Sequence, residues 1–127
     1  MFGNWAVSGG QIRLGEDGNA YLMRRTSPAT VYVISPSGEL LRSLKIEPPE
    51  SGQMPNDMQI SGNRIAVQFS ETNLTVADAT TGQTLANYLG EGNVQGVLVC
   101  YSAKPERFSF LTFTDGHKLR MVEAVGR

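Results

Sequence analysis

A single cysteine, Cys100, among 127 residues leaves no partner for an internal disulfide and excludes a zinc centre of the multi-cysteine kind. One histidine, His117, and no Gly-x-Ser-x-Gly elbow leave a nucleophilic triad without its parts. Charge of one sign is missing too. Eleven basic side chains stand against twelve acidic ones, a net charge of −1 that offers a phosphate backbone no attraction, so nucleic acid is not expected as a partner. No apolar run approaches the ~20 residues a membrane-spanning helix requires. The densest, Val31 to Ile34 and Val97 to Tyr101, have the length of strands. The opening Met1 to Val7 has neither a basic leader nor the apolar core of roughly 7 to 15 residues that marks a secretory signal, so a soluble chain is expected, of unspecified compartment. A sustained apolar i, i+3, i+4, i+7 pattern is absent as well, which leaves little room for helix.

What is present is turn chemistry and repetition. The length fits one domain at ~100 to 200 residues per domain. Apolar residues make up 40% and charged residues 18%, a globular balance, and fourteen glycines with six prolines imply many turns. Asp17-Gly18-Asn19 and Ser61-Gly62-Asn63 share with Ser37-Gly38-Glu39 and Thr81-Gly82-Gln83 a spacing of 44 residues (62 − 18 and 82 − 38). Without gaps, the same offset sets Leu14 on Met58, Tyr21 on Ile65, Met23 on Val67, Tyr32 on Val76 and Leu41 on Leu85.

The first two repeats each predict four short strands and the third predicts three. In the first they are Ile12 to Leu14, Ala20 to Arg24, Thr30 to Ser35 and Leu40 to Ile46, separated by Asp-Gly and Pro-Ser-Gly turns. The second predicts Met58 to Ile60, Arg64 to Phe69, Leu74 to Asp78 and Thr84 to Leu89; the third predicts Val97 to Tyr101, Phe108 to Phe113 and Lys118 to Val125. Tyr21-Leu22-Met23, Val31 to Ile34 and Val97 to Tyr101 are apolar at consecutive positions, as in strands covered on both faces. Leu40 to Ile46 mixes polar and apolar residues, as a strand with one wet face does. Dry inner strands and a half-exposed outer strand describe a propeller blade, and a period near 44 fits a blade of ~40 to 50 residues better than it fits a sandwich. The expected fold is all-β, with about three four-stranded antiparallel blades at 11–55, 56–96 and 97–127.

The phrases Gly15-Glu16-Asp17-Gly18-Asn19-Ala20-Tyr21-Leu22, Val31-Tyr32-Val33-Ile34-Ser35-Pro36-Ser37-Gly38-Glu39-Leu40-Leu41 and Val76-Ala77-Asp78-Ala79-Thr80-Thr81-Gly82-Gln83 resemble the bacterial six-bladed propellers of the NHL and quinoprotein-like groups. The resemblance covers Gln11 to about Val125 and implies a blade without implying an activity. It departs from kelch and Trp-Asp repeats, and Trp5 does not occupy a repeated docking position. Three blades fall short of the ~4 to 8 that close a ring. Completion by a second copy about a twofold axis, completion by further blades of a longer chain, and rearrangement into a smaller closed sheet are the three ways to cover the open faces. Asn4 to Ser8, within residues 3–8, has the length of a closing edge strand.

Few residues stand out chemically. His117 lies in an Asp-Gly hairpin and is expected as an exposed turn residue; Cys100, between Val99 and Tyr101, is expected as a small buried hydrophobe. Glu16-Asp17-Gly18-Asn19 carries oxygen ligands but lacks the spacing of a calcium loop. Arg24 and Arg25, with Arg13 nearby in sequence, are candidates for an anion site but are expected at loop mouths, solvated or paired with Glu. Phe108 and Phe110 alternate onto one face and Phe113 onto the other, as core residues. Asn73-Leu74-Thr75 matches a glycosylation acceptor. Pro48 to Pro55 is the longest irregular stretch; it is expected as a passive connector between the first two blades, with a partner contact as the alternative. No catalytic, cofactor-binding or metal residue is assigned. The expectation is a non-enzymatic recognition or assembly platform that binds itself, a protein or a small molecule; the alternative is an enzyme or ligand sensor with charged residues Arg13, Glu16, Arg24 and Glu71 in a central channel.

Overall fold

The computed structural model describes residues 10–69, 73–89, 97–103, 106–113 and 119–125, with strand backbone alone at 10, 97, 112–113 and 119–125. The described residues form eleven strands and no helix: β1 (Gly10–Leu14), β2 (Ala20–Arg24), β3 (Ala29–Ile34), β4 (Leu40–Ile46), β5 (Pro55–Ser61), β6 (Arg64–Phe69), β7 (Leu74–Asp78), β8 (Thr84–Tyr88), β9 (Val97–Ala103), β10 (Glu106–Phe113) and β11 (Leu119–Val125). They make three antiparallel sheets in chain order, β1-β2-β3-β4, β5-β6-β7-β8 and β9-β10-β11, each a meander in which sequence neighbours pair. The expected all-β class therefore holds. No helix is long and apolar enough to cross a membrane among the described residues.

The turns fall where the glycines predict. Gly38 and Gly82 close the third-to-fourth turns at φ of 90° and 80°, a region that costs side-chain-bearing residues about 1 to 2 kcal/mol. In each sheet the strand that starts two residues later is bulged. Val33 pairs with Arg42 and Ile34 with Leu40, so Leu41 is the extra residue; Val76 pairs with Ala86 and Ala77 with Thr84, so Leu85 is. Both bulge leucines are exposed, which spoils the free edge of each fourth strand for pairing with another chain.

The sheets stack in series, and alternation along each inner strand divides its side chains between two neighbours. Tyr21, Met23, Val31 and Val33 from the front of the first sheet pack against Ile65, Val67, Phe69 and Ala77 from the rear of the second. Ala66, Leu74 and Val76 on the front of the second sheet meet Leu98, Tyr101, Phe108 and Phe110 on the rear of the third. β6 is buried from Ile65 through Phe69 for this reason. Side chains such as Val67 and Phe69, fully removed from water, contribute roughly 1.5 to 3 kcal/mol each. The sheets approach most closely along their first strands, β1 against β5 and β5 against β9.

The ungapped 44-residue alignment is corrected by these faces. It equates Tyr21 with Ile65, yet the two face each other across the first joint. Matched by register and face, Tyr21 corresponds to Ala66, Val33 to Val76 and Arg42 to Ala86, offsets that alternate around 44. The cause is loop length. Residues 15–19 link β1 to β2, whereas Gly62-Asn63 alone link β5 to β6, and a one-residue slip moves a strand's side chains to the opposite face.

Cys100 is a second correction: it is exposed, not buried. β10 pairs Ser109 with Cys100 and Phe110 with Leu98, leaving Val99 as a bulge. Phe108 and Phe110 point to the second sheet, so Ser109 and its partner Cys100 point away from it. Within this run Leu98 and Tyr101 are buried against the second sheet, whereas Val99 and Cys100 are exposed. Phe108 and Phe110 are buried together as expected; the side chain of Phe113, together with Asn4 to Ser8, Trp5, Glu71 and His117, lies outside the described residues.

Candidate functional site

A first strand has a free edge, and its backbone donors and acceptors need partners once the next sheet shields them from water. Amide side chains supply these partners. Gln11 of β1 accepts the Met58 N–H at 2.8 Å and donates to Asp57 Oδ1 at 2.6 Å. Gln68 of β6 accepts the Leu98 N–H at 2.8 Å in a buried bond, and Gln59 of β5 donates to the Leu98 carbonyl at 3.4 Å. Consecutive first strands are thereby held side by side. Their ends, and the hairpins that follow, come together at one rim of the stack.

At that rim lies a polar groove of about 480 Å³, lined by Glu16 from the first sheet, Ser61, Gly62, Asn63 and Arg64 from the second, and Ser102 and Ala103 from the third. The groove draws on all three sheets. Glu16 accepts the Gly62 N–H, which ties the first turn to the second. Ser61 Oγ accepts the Ala103 N–H at 3.1 Å, which ties the second to the third. Arg64 is 42% exposed and lies 3.7 Å from the Glu106 carboxylate, itself 13% exposed. Glu106 also accepts the Tyr101 hydroxyl at 3.0 Å and the Tyr88 hydroxyl. Burial, and then the hydrogen bond and charge of Glu106, raise the Tyr101 pKa above its ordinary value, so the phenol stays a proton donor. The groove therefore offers a carboxylate, a guanidinium, hydroxyls and an amide on rigid hairpins.

A related clamp holds the first joint. Arg42 Nη2 donates to the Ala79 carbonyl at 2.9 Å and lies 3.4 Å from the Tyr21 hydroxyl, which donates to Asp17 at 2.7 Å. Burial and then Asp17 push the Tyr21 pKa up to about 12. For Asp17, desolvation alone would raise the carboxyl; hydrogen bonds from Tyr21 and from the Asn19 backbone and amide outweigh it and lower the pKa. The Glu16 to Asn19 segment is accordingly a turn built around Asp17. Among the described residues no group of three or more His, Cys, Asp or Glu side chains is placed to hold a metal.

Of the charged residues singled out for a channel, the described ones, Arg13, Glu16 and Arg24, are not brought together. Arg24 pairs with Gly10 and Leu14 with Ala20, so Arg24 and Glu16 lie at opposite ends of the first hairpin, about 13 Å apart along β2 at ~3.3 Å per residue. Arg13 Nη1 turns back to the Ile12 carbonyl at 3.0 Å, and Arg24 and Arg25 are exposed. Of Arg13, Glu16 and Arg24, Glu16 lines the groove. Asn73 is 3% exposed, with its amide donating to Glu50 and Gln53 at 3.2 Å each, so the glycosylation reading is excluded by burial. The same bonds, with Thr75 Oγ1 donating to the Glu47 carbonyl at 2.9 Å, pin the Pro48 to Pro55 connector against β7. Beside that connector a pocket of about 400 Å³ opens between Pro28, whose peptide bond with Ser27 is cis, and Pro48.

Arg64, Asn63 and Ser102 were invisible as site residues in the sequence. Ser61-Gly62-Asn63 signals a turn, but only the stacking of three sheets shows which turns share a rim. Compared with protein families, curated proteins and solved structures, the chain matches none of them.

Proposed function

We propose that this chain is a β-propeller segment of the bacterial six-bladed kind that serves as a non-enzymatic recognition and assembly platform, its ring completed by a second copy or by further blades. The supporting observation is the fan: three consecutive meanders, each placing its first strand beside the first strand of the next. Strands gathered at one side and spread at the other are what successive blades around an axis require. The groove at the gathered rim is the recognition site of this reading. Its polar side chains sit on hairpins cross-tied by Glu16 and Ser61, a preformed surface suited to a protein loop or a small polar ligand. A catalytic channel gains no support from the positions of Arg13, Glu16 and Arg24.

Sedimentation equilibrium of the chain tests the assembly. Completion by a second copy predicts twice the chain mass of 13.8 kDa. A stable monomer with no apolar dye binding at its sheet faces would refute the need for completion.

A further inference from the structure

Two charged side chains line the rim groove without bridging each other. Glu16 enters it from the turn after β1, and one of its carboxylate oxygens accepts the Gly62 N–H; the other has no hydrogen bond among the described residues. Arg64, at the start of β6, pairs with Glu106 and not with Glu16. At 3.7 Å that pair is looser than a hydrogen bond, and the Glu106 carboxylate already accepts the hydroxyls of Tyr88 and Tyr101. The guanidinium, 42% exposed, therefore keeps N–H groups for a ligand.

The uncharged lining is rich in donors. Ser61 Oγ accepts the Ala103 N–H and keeps its own proton to give. Asn63 Oδ1 accepts the Thr80 hydroxyl at 3.2 Å, which leaves the amide nitrogen open. The Ser102 hydroxyl makes no hydrogen bond among the described residues. These donors all belong to the second and third sheets, whereas the Glu16 carboxylate comes from the first.

Charge decides what such a groove accepts. Arg64 and Glu106 cancel, so Glu16 leaves it negative. A simple anion drawn to Arg64 would be set beside Glu16, like charge against like. A simple cation drawn to Glu16 would leave the guanidinium and hydroxyl donors unanswered. A molecule carrying both an ammonium and a carboxylate meets both needs, and the planar fork of a guanidinium matches a carboxylate. The groove, at about 480 Å³, has room for one.

We infer that the rim groove binds a small zwitterion, the chemistry of a free amino acid or a short peptide, with its ammonium on the open oxygen of Glu16 and its carboxylate on Arg64 and Ser102. The inference rests on the groove being the recognition site proposed above and names its ligand class.

Calorimetric titration of the full chain tests it with alanine, alanyl-alanine, N-acetylalanine and alaninamide. Alanine or alanyl-alanine binds, and the tighter of the two tells whether the source is a free amino acid or a peptide. N-acetylalanine, which lacks the ammonium, and alaninamide, which lacks the carboxylate, bind ~10-fold or more weakly. Glu16→Gln keeps an oxygen for the Gly62 N–H, weakens the zwitterion by ~10-fold or more and no longer discriminates against N-acetylalanine. Arg64→Gln has the same effect toward alaninamide. Ser102→Ala weakens the zwitterion without moving the urea midpoint, and reads the carboxylate end should Arg64→Gln lose its fold. Arg24→Gln, at the far end of the first hairpin, binds as wild type does. Equal binding of all four probes, or binding of none, overturns the zwitterion alone, because a groove that takes a protein loop predicts no such discrimination. Zwitterion binding that survives Glu16→Gln, Arg64→Gln and Ser102→Ala places the ligand elsewhere and overturns the groove as recognition site together with this inference.

Discussion

Replacing Gly82 with alanine isolates the energy of close approach between sheets, because Gly52 provides a matched control. Both glycines have positive φ, 80° and 85°, so both alanines pay ~1 to 2 kcal/mol for the left-handed backbone and recover ~0.4 to 1 kcal/mol from a stiffer unfolded chain. Gly52→Ala, with nothing within 4 Å of its Cβ, should therefore lose about 1 kcal/mol. At Gly82 the new methyl meets the Lys45 carbonyl oxygen at 3.1 Å and the Lys45 nitrogen at 3.3 Å. These are backbone atoms of β4, held by the pairing of Lys45 with Thr30, and cannot swing aside as a side-chain tip would. Overpacking of this kind costs ~1 to 3 kcal/mol more, for a total of about 2 to 4 kcal/mol. Urea titrations of wild type and both variants, with the slope m unchanged, give the difference directly. Equal losses in the two variants would refute the claim that the Gly82 turn is a packing contact between sheets.

Gln68→Leu keeps the size of the side chain and leaves the Leu98 N–H without its acceptor, at a cost of about 1 to 3 kcal/mol, and amide exchange at Leu98 should accelerate by more than at core amides of β6 and β7. Alkaline pH should weaken the first joint in a defined direction. The Tyr21 pKa is about 12 in the folded chain against an ordinary 10, so its contribution is complete below pH ~10 and is lost as pH rises toward 12. Tyr21→Phe should lower the urea midpoint at neutral pH and reduce its further fall on the alkaline side. Asp17, with its pKa lowered, contributes above its ordinary value of 3.8 and loses that contribution as pH falls below it.

The order of elements was legible because turn chemistry is local. Pro36-Ser37-Gly38 and Thr81-Gly82 mark chain reversals that depend on φ at one residue, and β4, β6 and β7 begin and end where their sequences predict. Register was not legible to the same depth. An offset of 44 aligns Gly38 with Gly82 and Leu41 with Leu85 correctly, yet reverses the faces of Tyr21 and Ile65, because hydrophobic strands buried on both sides carry no polar alternation to reveal a slip of one. Cys100 failed for a related reason. An apolar run reads as dry on both faces, but the bulge at Val99 turns Cys100 to the side away from the second sheet, and a bulge leaves no mark in so short a strand.

The candidate site was the least legible part, and its construction explains why. Glu16, Ser61 and Ser102 are far apart in sequence and ordinary in type; they become neighbours only because Gln11, Gln59 and Gln68 bring successive first strands into line. Each glutamine satisfies edge groups that burial would otherwise leave unpaired, at ~1 to 3 kcal/mol apiece, so the same bonds that permit stacking also fix which hairpins share the rim. A site assembled in this way depends on spacing between sheets more than on any one residue. Widening a joint by a methyl group at Gly82 should disturb the distant rim through β5, whereas removing the Arg64 guanidinium should alter the groove's charge and leave the stack in place.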